Sequence, residues 1–216
     1  MHVLITAGPT REFIDDVRFL SNASSGRMGY ALAESAVRRN WQVTIISGPV
    51  ALPGPVGVEV RHVTTALEML DACLEFLPQV DGVIAVAAVS DFRPASRHAG
   101  KLHRSEGPLR LELVPNPDIL AELGRRKSRQ WTIGFAVESS DPLAGARAKL
   151  VAKQCDAVVV NSPQAMESCN TTIQLIDRTG TVALEFRGSK EAAAEQIMEW
   201  IERNLVRAAT TSGPQL

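Results

Sequence analysis

The chain is poor in several things, and each shortage excludes something. Its 216 residues include three cysteines, one tyrosine and 5% aromatics, with no surplus of either sign of charge. Cys73, Cys155 and Cys169 stand too far apart for a CxxC redox pair or a zinc knuckle. Their odd count speaks against a disulfide framework and for a reducing, cytoplasmic setting. Lysine plus arginine is 23 and aspartate plus glutamate 24, a net charge of −1. No bulk positive field is there to hold nucleic acid or an anionic membrane, so neither is expected as a partner. The longest apolar stretch, residues 82–89, is under half of the roughly 20 residues a membrane span needs. The first residues lack the basic region, apolar stretch and cleavage site of a leader. No GxxxxGK[ST] motif occurs, which excludes a P-loop, and the scattered histidines, without HxxH or HExxH, offer no resident metal site.

What is present is an alternation of strand-like and helix-like stretches. Residues 2–7, 42–47, 58–63, 82–89, 131–136 and 157–160 are short, apolar and rich in β-branched side chains. Between them, residues 26–39, 65–77, 117–126 and 144–154 carry helical signals, such as Met28, Leu32 and Ala36 at four-residue spacing. Pro117 reads as the first-turn proline of its helix. Residues 109–113 alternate leucine with charge, the pattern of a half-exposed strand. Residues 172–177 and 181–186 flank Arg178-Thr179-Gly180 as a hairpin, and Ser189 caps a closing helix to residue 203. The expected fold is α/β: a doubly wound, mostly parallel Rossmann-like sheet with an added flap and β-hairpin. One domain is expected over residues 1–209, with a flap at about 92–107 and a frayed tail at 210–216.

In such sheets ligands bind at the carboxyl ends of the strands, which directs attention to residues 8–11, 22–29, 90–104 and 138–141. Residues 22–29 read Asn-Ala-Ser-Ser-Gly-Arg-Met-Gly at the head of a helix, where small residues admit a phosphate to backbone N–H groups. A short-chain dehydrogenase carries such a turn directly after its first strand, whereas here about fifteen residues intervene. Its Tyr-x-x-x-Lys pair is missing too: four residues after Tyr30 stands Glu34.

Five further stretches belong together: LITAGPTREFIDDVRFLSNASSGRMG (4–29), AAVSDFRP (87–94), VPNPDIL (114–120), GFAVES (134–139) and KLVAKQCDAVVVN (149–161). In order and spacing they resemble phosphopantothenoylcysteine synthetase of the bacterial type, over nearly the whole chain. The resemblance implies a step of coenzyme A synthesis. The carboxylate of 4′-phosphopantothenate attacks CTP, and the acyl-cytidylate formed is taken by the amine of L-cysteine. Mg²⁺ would come with CTP, held mainly by phosphate and water. In many bacteria this synthetase is fused behind a flavin-dependent decarboxylase; no flavin is expected in this chain, and a separate decarboxylase is a candidate partner.

The same resemblance assigns roles. Asn22 would contact phosphopantothenate and stabilise the acyl-cytidylate, with Arg93 a further substrate contact. Ser24, Ser25, Gly26 and Gly29 would form the anion-binding entry to the helix, with Gly8 beside them. Ala85, Val86 and Ala87 would present backbone to the nucleotide, and Asp91 would meet its ribose or a metal. Asn116, Pro117, Asp118 and Ile119 would lie beside the base, with Phe135 the aromatic against it. Lys149 and Lys153, four apart on one helix face, would contact phosphate. Lys101 would swing over the triphosphate as the flap closes, between glycine hinges at 100 and 107. The chain departs from the family pattern at His103, where a lysine is usual. A homodimer with shared sites is implied, and residues 109–113 are the candidate dimer element. Two other readings stay open: a nucleotide-binding module without turnover, and an NAD(P)-dependent dehydrogenase-like protein.

Overall fold

The computed structural model describes residues 1–104, 108–137, 142–161 and 170–207. The expectations for Cys169, for 105–107 of the flap, for the turn at 138–141 and for the tail at 210–216 lie outside the described residues.

The chain opens with β1 (His2–Ala7), whose unbroken apolar run suits a strand covered on both faces. A small hairpin follows, β2 (Arg11–Phe13) with β3 (Phe19–Ser21), which no sequence pattern announced. Next come α1 (Arg27–Arg38), β4 (Gln42–Ser47) and β5 (Glu59–His62). Then α2 (Ala66–Phe76) starts on a capping box, the Thr65 hydroxyl taking the Glu68 N–H at 3.2 Å. Strands β6 (Gly82–Ala85), β7 (Phe92–Pro94) and β8 (Leu113–Pro115) precede α3 (Ile119–Arg126). The rest is β9 (Trp131–Val137), α4 (Pro142–Ala152), β10 (Ala157–Asn161), the hairpin β11 (Asn170–Asp177) and β12 (Val182–Ser189), and α5 (Lys190–Ile201).

Among the described residues eight strands form one sheet, in the order β12-β11-β10-β9-β6-β1-β4-β5. The pairs from β5 to β10 are all parallel, and β11 is antiparallel to both its neighbours. Only β11 therefore runs against the rest, and β12 ends on the same edge as β1, β6 and β9. α1 and α5 cover one face, where Leu32, Ala33, Ala194 and Ile197 pack on Ile5, Ile133 and Val159. α2, α3 and α4 cover the other, around Leu4, Met69, Leu123, Ala146 and Val158. The expected mostly parallel, Rossmann-like sheet is the one found. No helix among the described residues is long and apolar enough to cross a membrane.

Three expectations are corrected. The strand expected at 82–89 stops at Ala85. Its neighbour β1 ends at Ala7, and beyond it the backbone pairing shrinks to one parallel bridge, Pro9 with Ala88, the Ala88 N–H donating to Gly8 O at 2.9 Å. Side chains hold the residues on either side of that bridge: the Thr6 hydroxyl accepts the N–H of Val86 and of Ala87, each at 3.1 Å, and Thr10 Oγ1 that of Ser90 at 3.0 Å. The strand expected at 109–113 survives only as Leu113–Pro115, paired with Phe92–Pro94. Leu109 and Leu111 find no partner strand and are exposed. Pro117 lies outside α3, which starts from Asp118 as its cap; Asp118 Oδ1 accepts the Ala121 N–H at 2.9 Å.

Candidate active site

The carboxyl edge of the sheet carries two adjoining cavities, and Phe135, near the end of β9, lines both. The smaller, about 80 Å³, lies at the head of α1 and is lined by Gly8, Ser24, Ser25, Gly26, Gly29 and Val86 among others. Gly26 caps α1 at φ 76°, and a Cβ there would stand 2.7 Å from Val50 Cγ1. Gly29 lets the helix lie flush on β1: a Cβ would come within 2.7 Å of Ala7 Cβ. No side chain caps α1 and its first turn holds no acid. A helix head without a side-chain cap suits an anion.

The larger cavity, about 260 Å³, is lined by Ala85, Ala87, Asp91, Asn116, Pro117, Asp118, Ile119, Lys149 and Lys153 together with Thr6. Asn116 is pinned at both ends of its amide: Nδ2 donates to Ser90 O at 2.8 Å and Oδ1 accepts from Arg93 Nη1 at 3.1 Å. Lys149 Nζ donates to Phe135 O at 3.0 Å, and Lys153 pairs with Asp118. Burial opposes a charged Asp118, yet the Lys153 contact, the Ala121 N–H and the charge of Lys149 hold its carboxyl below the usual range. Two cations and two carboxylates thus share this cavity with one aromatic wall.

The residues expected to act on the acyl group are placed apart from these walls. Asn22 follows β3 and lines a neighbouring depression with Arg11 and Ser21. Its Nδ2 donates to Ala88 O at 3.1 Å and Val89 O at 3.0 Å, on the segment between the two cavities. Its Oδ1 has no partner among the described residues. Arg93, expected to meet substrate, lines neither cavity: its Nη1 also reaches Pro115 O at 2.7 Å, so the guanidinium braces the Asn116 loop.

Lys101 is exposed and also lines neither cavity. Its segment is docked on the β2–β3 turn. Asp16 takes Arg97 Nη2 at 2.9 Å and the Gly100 N–H at 2.8 Å, and Asp15 takes the Leu102 N–H at 3.0 Å. Asp15 is buried; desolvation opposes its charge, but the N–H groups of Arg18, Val17 and Leu102 and the Arg18 guanidinium hold its carboxyl far below the usual range. Tyr30 is a core residue, its hydroxyl 3.1 Å from Ser47 Oγ in a buried pair, which leaves no tyrosine for hydride chemistry.

Sequence reasoning missed four contributors. Thr6 and Thr10 hold the segment after β6, and their signal was only a threonine near a strand end. Asn161 and Lys190 line the smaller cavity. Asn161 stands at the carboxyl end of β10, the kind of position searched elsewhere. Lys190 opens a helix, where a cation is locally disfavoured, and that misfit was its signal.

A mostly parallel, doubly wound sheet with two adjoining cavities at its carboxyl edge, one of them at a helix head, defines a Rossmann-like α/β protein. The family model of the DNA/pantothenate metabolism flavoprotein C-terminal domain matches residues 1–205, and the chain belongs to that family. It is 48% identical over 165 residues to the coenzyme A biosynthesis bifunctional protein CoaBC of Bacillus subtilis, covering 76% of this chain and 41% of that one. To the protein of the same name from Vibrio cholerae it is 40% identical over 210 residues, covering 94% and 52%. The chain thus spans about half the length of these relatives or less. The crystal structure of the C-terminal domain of a CoaBC protein superposes with a TM-score of 0.83 at 38% identity, covering 95% of this chain and 96% of that domain.

Proposed function

We propose that the chain ligates 4′-phosphopantothenate to L-cysteine at the expense of CTP, in coenzyme A biosynthesis. The observation that carries this reading is the pair of cavities meeting at Phe135, with the Asn22 amide fixed to the segment between them. The larger cavity suits the nucleoside: Asn116–Ile119 and Phe135 beside the base, Ala85 and Ala87 offering backbone, Asp91 at the ribose. Lys149 and Lys153 supply charge for phosphate, Lys153 by leaving Asp118. Ser24, Ser25, Gly26 and Gly29 offer the helix head to the rest of the triphosphate.

The phosphopantothenate carboxylate then attacks the α-phosphorus, and the bond to the β,γ-pyrophosphate breaks with its electron pair on the leaving oxygen. The cysteine amine next attacks the acyl carbon, loses a proton, and expels CMP. Asn22 offers its Oδ1 near the junction, and its Nδ2 becomes a donor to the intermediate on giving up one of its two carbonyls, Ala88 O or Val89 O. Lys101 would leave the Asp15–Asp16 turn to cover the phosphates, adding charge and excluding water from a mixed anhydride. Mg²⁺ enters as the CTP complex. No cluster of three metal-ligating side chains occurs among the described residues, and Asp91 is the cavity carboxylate available to such a complex.

The working unit is one domain over residues 1–209, a homodimer of the cytoplasm, with a phosphopantothenoylcysteine decarboxylase as its neighbour in the pathway. The test is direct: supply 4′-phosphopantothenate, cysteine, Mg²⁺ and either CTP or ATP, and follow pyrophosphate. Release with CTP is expected; release with neither nucleotide ends the proposal.

A further inference from the structure

The floor of the larger cavity holds a polar group that the roles above leave unused. Thr6, the last residue but one of β1, lines that cavity and is 2% exposed. Its Oγ1 accepts the N–H of Val86 and of Ala87, each at 3.1 Å. A hydroxyl has two lone pairs and one proton. With both lone pairs engaged, Thr6 meets a ligand only as a donor. Its proton has no acceptor among the described residues, and a buried donor without one is costly.

Ala87 stands in the opposite condition. Its N–H is spent on Thr6, so only its carbonyl is left for the cavity it lines, and that carbonyl accepts nothing among the described residues. The floor therefore carries one obligate donor and one obligate acceptor. Depth says which part of a nucleoside meets them. Thr6 and Ile119 are buried, whereas Asp91 is exposed at the mouth. With the ribose at Asp91, the flat base reaches the floor. Cytosine presents an acceptor at N3 beside a donor at its 4-amino group; uracil reverses both, with a donor N3–H beside the acceptor O4. To receive uracil, Thr6 would have to release Val86 or Ala87 and strand that N–H.

We propose that Thr6 is a specificity-determining residue, its hydroxyl donating to N3 of cytosine and so selecting CTP over UTP. The inference rests on the CTP-dependent ligase reading and adds to it the group that reads the base. A site built to hydrogen-bond one base rejects an analogue that leaves its buried polar groups unpaired.

The test is calorimetric binding of CTP and of UTP to the full chain, with Mg²⁺ and without phosphopantothenate, so that no turnover intervenes. Wild type should bind CTP at least about tenfold more tightly than UTP. Thr6→Val should weaken CTP about tenfold and change UTP less than about twofold, which removes the preference. Thr6→Ser, which keeps the hydroxyl, should retain it. Thr6→Val also frees the N–H groups of Val86 and Ala87, but a purely structural effect weakens both nucleotides alike, and that result overturns the proposal. So does an unchanged preference in folded Thr6→Val. Melting temperatures identify a variant that fails to fold. Wild type with the triphosphate of 3-deazacytidine, which has C–H in place of N3, then carries the test: binding about tenfold weaker than CTP is expected, and equal binding overturns the proposal. Absence of CTP turnover with the binding preference intact defeats the ligase reading alone; a wild type that binds neither nucleotide defeats both.

Discussion

Asn22 shows how much one amide does at the residue scale. It ties the loop before α1 to two carbonyls beyond β6, so its position is fixed before any ligand arrives. Asn22→Asp would set a carboxylate against those two oxygens and remove the donor. The expected result is a fall in kcat of about a hundredfold or more, the scale of losing a side-chain donor at the reacting group, with a melting temperature within a few degrees of wild type. Steady-state kinetics beside a thermal melt check it, and full activity removes Asn22 from the mechanism. Gly26 is held by conformation and by space. Gly26→Ala forces a left-handed alanine, about 1–2 kcal/mol, and drives a methyl onto Val50. Chemical denaturation should show a loss of about 2 kcal/mol, part of it restored in a Val50→Ala background.

Among the elements, the β2–β3 hairpin is the unexpected one, and it explains where the flap sits. Arg97, Gly100 and Leu102 are fastened to Asp15 and Asp16. Asp16→Ala should speed tryptic cleavage after Lys101 and Arg104 several-fold; an unchanged rate means the turn does not hold the flap. The Asp15 contacts have a defined pH window. The folded carboxyl sits below its unfolded value of about 3.9, so its contribution is fully present above that value. It fades as pH falls through the lower folded value. Acid titration of flap protection should therefore show no loss between pH 7 and 5. The legibility of elements follows from the same physics. β1, β4, β9, β10 and the helix heads were readable because burial on two faces writes itself into apolar runs and caps. Residues 86–90, the hairpin and the true extent of β8 were not, because threonine hydroxyls, aspartate turns and partner strands fix them from a distance. The site was legible to the same degree. Its glycine turn and its 116–119 loop are local patterns, whereas Asn161 lines the site only once β10 is set beside β9, and Lys190 only once β12 is placed.

On the scale of the whole molecule, two features stand away from the site. At the amino edge of the sheet Asp156 is 1% exposed and takes the Thr132 N–H at 2.7 Å, Lys127 Nζ at 2.9 Å, and Arg178. Lys127 is already pushed below its ordinary value, by burial first and then by the charge of Arg178. Asp156→Ala would strand that ammonium and is expected to cost about 3–5 kcal/mol in chemical denaturation. On the flap side, Phe92, Leu109, Leu111 and Leu113 are all exposed. A second copy covering them is the expected state, so light scattering should give a dimer for wild type and a monomer for Leu111→Glu.

The direction of β12 has a last consequence, for the life of the chain before it is finished. The walls of the smaller cavity run from Gly8 to Lys190 in the sequence. A nascent chain that has emerged from the ribosome as far as β6 owns the glycine turn but not the two walls that close it. Partial products of translation, and proteolytic fragments lacking α5, therefore lack at least one wall of this cavity, which is complete only when nearly the whole polypeptide is in place.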